Sequence, residues 1–312
     1  MKKYLAAGVL AAALLGTALG GCAPEPQNGT QEVPQALEDT LRFSITDTFR
    51  GLKVEAVAGD VRLLPSSEDR CVVVCSDTSG FSYTAVVEED MLVIQEKGES
   101  SFSKENGEIL VYLPQPRYDS LNITTESGSV DVTMDFAFGD VNIRTVAGET
   151  AYRGTADGSM SLESESGRIL ITGVSPNEAQ IKTESGSIIA QSVLVGEDLN
   201  IQTVTGDLTL AYVKCKNATV TVANGQSMLE QVLALEHIQL TGQTGNVVLT
   251  DCDAATLEIK TTAGNVTGTL LTDKRFHTDT ETGEVTVPDT TGGVCHVITE
   301  SGNIHLQIGG SQ

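Results

Sequence analysis

One interval governs this chain. Glycines at 128, 148, 167, 186, 206, 225, 245, 264, 283 and 302 follow one another at steps of 19 or 20 residues. Each sits in a similar phrase: LNITTESGSVDV, MSLESESGRILI, AQIKTESGSIIA, LNIQTVTGDLTL, LEIKTTAGNVTG, CHVITESGNIHL. A period that regular marks a repeat architecture, in which each unit cannot bury its apolar face alone and must stack on its neighbours.

Counting from each glycine, position −5 holds Ile123, Ile143, Leu162, Ile181, Ile201, Val220, Leu240, Ile259, Thr278 and Val297. Position −7 is also mostly apolar, and so are +2 and +4. Residues two apart share one face of a strand, so each repeat encodes two short, half-buried strands. The SG, TG, AG or NG between them predicts a tight turn in which glycine supplies a positive φ. Short strands joined by turns also build sandwiches. The short repeat, the single-residue variation in its length and the like-on-like columns favour a solenoid. Position −3 is the clearest column: Thr125, Thr145, Ser164, Thr183, Thr203, Thr261, Thr280 and Thr299, expected inward and hydrogen-bonded up the stack. Position +7 (Val174, Val193, Val213, Val232, Leu271) predicts a third strand or inward bend. The expected fold is therefore all-β, a parallel β-solenoid of about ten coils rising about 4.8 Å each.

The rest of the chain divides around that block. Residues 1–21 have the form of a signal peptide: Lys2 and Lys3, an apolar run from Leu5 to Leu19, then small residues. Leu19-Gly20-Gly21-Cys22 resembles the bacterial lipobox, which implies cleavage before Cys22 and its acylation, palmitate included. Residues 22–40, Pro-containing and aperiodic, read as a tether. Residues 41–117 read as an irregular N-terminal β cap, with LKVEAVAGDVRLL as a degenerate first coil, and 118–312 as the regular coils. No dedicated C-terminal cap is evident. The expected location is the extracytoplasmic face of the cell membrane, reached through the lipid anchor.

Charge and cysteines bound the chemistry. With 42 acidic against 19 basic residues the formal net charge is −23, which argues against a nucleic-acid partner. Cys71, Cys75, Cys215, Cys252 and Cys295 are an odd set without metal-ligand spacing. Cys71 and Cys75, four apart on a strand, are about 13 Å from each other, too far for a bridge. Buried free thiols are expected.

Three outward columns are candidate sites. Position −2 carries Glu126, Glu165, Glu184, Glu281 and Glu300, some on adjacent coils. Such stacking invites either Ca²⁺ or simple solvation and screening, and the Gly-rich nonapeptide of calcium-binding β-rolls is absent. His277 and His296 both occupy −6 with Asp279 nearby, a set able to hold zinc only if a further shell supports it. No metal or other cofactor is expected. Position +3 carries Leu170, Ile189, Met228 and Val248, an apolar stripe expected either to lie under another part of the chain, the N-terminal module for instance, or to be an interface. There is no Trp, no long insertion and no nucleophile or phosphate-loop motif in context, so an enzyme is not expected.

The recurring T-x-S/T-G-x-[VIL]-x-[VIL], preceded by VYLP, resembles the bacterial DUF4097 family of β-strand-repeat proteins, described as candidate adhesins. The resemblance spans roughly Phe43 to Ile308. It implies a solenoid that works as a binding or scaffold element toward a surface ligand or an envelope protein, and offers no catalytic motif. An accessory or sensory lipoprotein of an envelope-stress regulatory system is the alternative, and a polysaccharide-acting β-helix a more distant one.

Overall fold

The computed structural model describes residues 40–76, 80–98, 107–133 and 136–309. Cys22 and the signal and tether segments up to residue 39 lie outside them.

Each coil follows from the alternation. Residues at −7, −5 and −3 point inward and those at −6, −4 and −2 outward, so the strand before each glycine buries one face only. The pairing is parallel and in register from coil to coil. Ile123 pairs with Ile143, Leu162 with Ile181, Ile181 with Ile201, Val220 with Leu240, and Leu240 with Ile259. Strands after the turn stack likewise, with Ile169 on Ile188 and Ile188 on Leu208. These two stacked sheets enclose one continuous core of Ile, Val and Leu. Burying each such side chain contributes about 1.5–3 kcal/mol, and the columns repeat that gain once per coil.

The chain turns a third time in each coil. Ser192, Tyr212, Gln231 and Asp251 adopt left-handed backbone (φ 56°, 58°, 49° and 52°), and Gly173 holds the same place at 68°. That corner at +6 swings the next residue inward, and Val174, Val193, Val213 and Val232 are buried as the third side expects. Leu271 departs from the pattern: it is exposed and Leu270 is buried instead. Leu249 faces Gly268 while Cys252 faces Leu270, so this coil spans the corner with one residue fewer. Near the N-terminal end the third side is filled by Phe49, Tyr118 and Phe138, whose rings stack at 5.4 and 5.8 Å.

The glycine column has a different cause from the expected one. Gly148, Gly206, Gly225, Gly245, Gly264 and Gly302 have φ between 126° and 154°, but Gly128, Gly167, Gly186 and Gly283 are not in the positive region. What all ten share is contact. A Cβ on any of them would overlap the carbonyl oxygen of the glycine in the adjoining coil. Glycine is required because the turns stack backbone on backbone. The Thr column is also corrected. It is buried at Thr125, Thr145, Ser164, Thr183, Thr203, Thr261 and Thr299, but no Thr-to-Thr ladder forms. Thr125 Oγ1 accepts from the Gly128 amide at 3.0 Å, whereas Thr203 and Thr299 donate to the carbonyls of Gly186 and Gly264, each at 3.4 Å. The hydroxyls of Thr145, Ser164, Thr183 and Thr261 have no partner.

Both ends of the stack depart from sequence order. At the N-terminal end, strand Gly51–Ala56 pairs on one side with Arg117–Thr125 and on the other with Met91–Gly98. Asp60–Pro65 similarly lies between Val130–Val132 and Glu108–Leu113. Antiparallel strands finish both sheets: Phe81–Glu88 beside Met91–Gly98, and Thr40–Ile45 beside Cys71–Ser76, itself beside Glu108–Leu113. At the C-terminal end, Gly293–Ser301 pairs with Thr256–Ala263 on one side and Lys274–Thr282 on the other. The Gly302 coil is thus inserted between the Gly264 and Gly283 coils, and the Gly283 coil is outermost. The amides agree: Gly264 N donates to Ser301 O at 2.9 Å and Gly302 N to Thr282 O at 3.0 Å. Thr278, the one polar residue in the −5 column, marks this end coil.

Candidate functional surfaces

The rod presents faces, and each follows from the coil geometry. At the third side, the left-handed corner residues point out, the next residue points in, and the one at +8 points out again. Leu194, Lys214 and Leu233 therefore stack in register. With Ser192, Val193, Tyr212 and Gln231 they line an open groove of about 360 Å³. Its surroundings are apolar: Leu194 is 56% exposed, Tyr212 47% and Leu235, just beyond, 74%. The Tyr212 hydroxyl donates to Glu230 Oε1 at 3.3 Å, which orients the ring beside the groove. The aliphatic stem of Lys214 lies between the two leucines, and its ammonium is a basic element at the groove. The repeat phrase obscures this surface, because the longest outward apolar column in it falls at +3. A Leu directly after the inward Val, as in Val193-Leu194 and Val232-Leu233, is the signal the sequence does carry.

The +3 stripe exists as a column. Leu170 pairs with Ile189, and Met228 with Val248, with Thr209 between them. Leu170, Ile189 and Val248 are half-buried by their strand neighbours, while Met228 is 46% exposed. The N-terminal module does not cover the stripe: its strands extend the end of the stack, not its flank.

The acidic column is partly neutralised from within. Arg144 donates to Glu163 Oε2 at 3.0 Å and to Glu165 Oε1 at 3.2 Å in the next coil, and Lys182 lines the same shallow depression with Glu184. Arg168 pairs with Glu149 at 2.7 Å in the same coil-to-coil manner. Within the −2 column it is Glu165 that an arginine reaches, and Arg144 supplies the positive charge there.

His277 and His296 are stacked neighbours, with ring centroids 4.7 Å apart and planes inclined by 33°. Glu258 follows His296 in the column, and the hydrogen bond from Lys260 holds its carboxyl below the usual range. Asp279 is two residues along the strand from His277. Among the described residues no three His, Cys, Asp or Glu side chains converge as a metal site.

The five cysteines among the described residues are free and buried. Burial pushes the thiols of Cys71, Cys75 and Cys295 up to about 12 and those of Cys215 and Cys252 up to about 11. Such thiols pack as small hydrophobes and are poor nucleophiles.

Two buried polar groups secure the ends. Glu96 Oε2 accepts from the amides of Val57, Ala58 and Gly59 at 2.7, 2.9 and 2.9 Å, and Tyr83 donates to its other oxygen at 2.9 Å. These amides belong to the first glycine turn, and the Glu96 carboxylate is their acceptor. Lys274, almost fully buried, reaches from the outermost coil to Asp253 Oδ1 at 2.6 Å. It passes the inserted strand at Gly293, where a Cβ would lie 3.3 Å from its Nζ. Neither residue stands out in the sequence, because each departs from the repeat only where coils are irregular.

Comparison with known proteins bears on the family. No curated protein matches the sequence. Among solved structures, a "putative adhesin" from Parabacteroides distasonis is 13% identical, with a TM-score of 0.46 over 85% of this chain and 95% of its own. A "putative adhesin" from Bacteroides fragilis is 11% identical, with a TM-score of 0.38 over 87% and 98% of the two chains. A "putative lipid binding protein" from Parabacteroides distasonis is 12% identical, at 0.39 over 88% and 98%. At these scores nothing about binding carries over. The sequence pattern of the family described as Toastrack DUF4097 matches residues 49–226 and 190–312, which together take in every regular coil. The chain belongs to the DUF4097 Toastrack family.

Proposed function

We propose that this protein is a non-enzymatic binding rod, held on the extracytoplasmic face of the cell membrane by an acylated Cys22, whose lateral groove receives an envelope protein or surface ligand. The observation that carries the reading is the exposed apolar surround of that groove, Leu194, Tyr212 and Leu235, on a rod that is otherwise regular and strongly acidic. Contiguous exposed apolar surface on a soluble protein marks a contact site. Lys214 adds a preference for an acidic or hydrogen-bond-accepting group beside the apolar one. A binding role also suits coils of nearly constant length, which leave no long loops to build a cleft around an acid and a base.

The test is photocrosslinking in cells. A crosslinker placed at Tyr212 is expected to capture a discrete partner, and capture is expected to fall when Leu235 is replaced by Asp. A crosslinker at Glu184, on the acidic face, is expected to capture little. Equal capture at both positions, or capture insensitive to Leu235→Asp, contradicts the assignment. A captured membrane regulator would favour the sensory role over adhesion.

A further inference from the structure

The geometry points to the C-terminal end of the rod as a homodimer interface, in which strand Lys274–Thr282 pairs antiparallel with the same strand of a second copy about a two-fold axis at Thr278. This surface is separate from the lateral groove, and the inference stands or falls without it.

The two ends of the stack are finished differently. At the N-terminal end both sheets close with antiparallel strands, Phe81–Glu88 and Thr40–Ile45. At the C-terminal end the outermost strand, Lys274–Thr282, pairs with Gly293–Ser301 on one side only, among the described residues. Its other edge presents a row of backbone donors and acceptors, a template for a further strand. The interior is open there as well. Phe276, Thr278 and Thr280 are half-buried where their counterparts Cys295, Val297 and Thr299 one coil inward are buried, and Val285 is 43% exposed.

The sequence of that edge, KRFHTDTET, reads as its own complement. Antiparallel pairing centred on Thr278 sets Arg275 opposite Glu281, His277 opposite Asp279 and Phe276 opposite Thr280, each twice by symmetry. Arg275, His277, Asp279 and Glu281 all point outward and are exposed, so the opposed charges meet on one face. Lys274 is excluded from the scheme by its pairing with Asp253. A two-fold axis normal to the sheet carries the inward face onto the inward face, so Phe276 and Val285 would be brought toward the partner's open interior. Such an interface is isologous and closes at two copies.

Sedimentation equilibrium of residues 23–312, which lack both the apolar run 5–19 and the acylation site and so have neither to drive association, tests this. The expected result is a monomer–dimer equilibrium. Arg275→Glu sets like charges against Glu281 in both halves and is expected to weaken it about tenfold or more. Arg275→Glu combined with Glu281→Arg restores opposite charges and is expected to bring affinity back. Unchanged melting of the single variant controls for folding, since Arg275 is exposed. A monomer at every concentration up to about 100 µM overturns the proposal and leaves the edge to a different protein. A dimer indifferent to Arg275→Glu overturns it too, as does a weakened dimer that the double variant fails to rescue.

Discussion

At the scale of single residues the turn glycines separate two causes that sequence alone confounds. Gly186 is not in the positive-φ region, but a Cβ there would run into the Gly167 carbonyl. Gly173 has φ of 68°, and a Cβ there would meet nothing within 4 Å. Gly186→Ala is therefore expected to cost about 3 kcal/mol or more through overlap with backbone, and Gly173→Ala about 1–2 kcal/mol through the dihedral alone. Urea unfolding of the two variants measures the difference; equal costs would remove close approach as the explanation. Glu96 gives a second test, because truncation to Ala leaves three amides of the first turn without their acceptor. A loss of about 2–4 kcal/mol is expected, and a loss within error would mean that water caps this turn equally well. The thiols supply a pH dependence. An unfolded cysteine ionises near 9, whereas burial raises these five to about 11–12. The folded state then holds protons that the unfolded state has released, so stability is full below about pH 9 and falls as pH rises toward 11–12. Urea midpoints that stay level across that range would contradict the burial of these groups. The glycine and threonine columns are legible as columns in the sequence. Their reasons are not, since a one-letter pattern does not tell a dihedral requirement from a contact requirement.

At the scale of elements the informative feature is the insertion of Gly293–Ser301 between Thr256–Ala263 and Lys274–Thr282. The strand nearer the C-terminus is paired on both edges, and the one before it in sequence is paired on one. Amide exchange at Val297 and Thr299 is therefore expected to be at least about tenfold slower than at Thr278 and Thr280. Fraying inward from the C-terminus, with 297 and 299 faster, would contradict the order. The periodicity marks the strands of both coils but does not order them, because the −5 and −7 columns match in either sequence of stacking. Thr278 in place of Ile or Val is the one hint that its coil lies outermost and needs a less apolar inward face. Among the described residues, the device that finishes the C-terminal end is an exchange of places between coils. The acidic column shows the same limit: the glutamates at −2 are visible in the sequence, whereas the arginine that reaches Glu165 comes from the −4 column one coil away. With Arg144 in place, millimolar Ca²⁺ is expected to leave the melting temperature unchanged, and a rise of several degrees would show a cation site that the ion pairs do not replace.

At the scale of the whole molecule, identical positions lie directly above one another in a rod whose terminal coils are out of sequence order. Fold and core are readable because like-on-like stacking imposes the same residue type at the same offset in coil after coil. The surfaces are less readable, because outward positions carry no such constraint and the exposed Leu194–Leu235 region depends on where the left-handed corner falls. Disulfide crosslinking measures the stacking directly. Cysteines replacing Lys182 and Gln202, paired in adjacent regular coils, give the reference rate. Glu258→Cys with His296→Cys, also paired, is expected to oxidise at a comparable rate, and Glu258→Cys with His277→Cys, separated by the inserted strand, to stay reduced. Rapid bonding of 258 to 277 with none to 296 would contradict the stacking order.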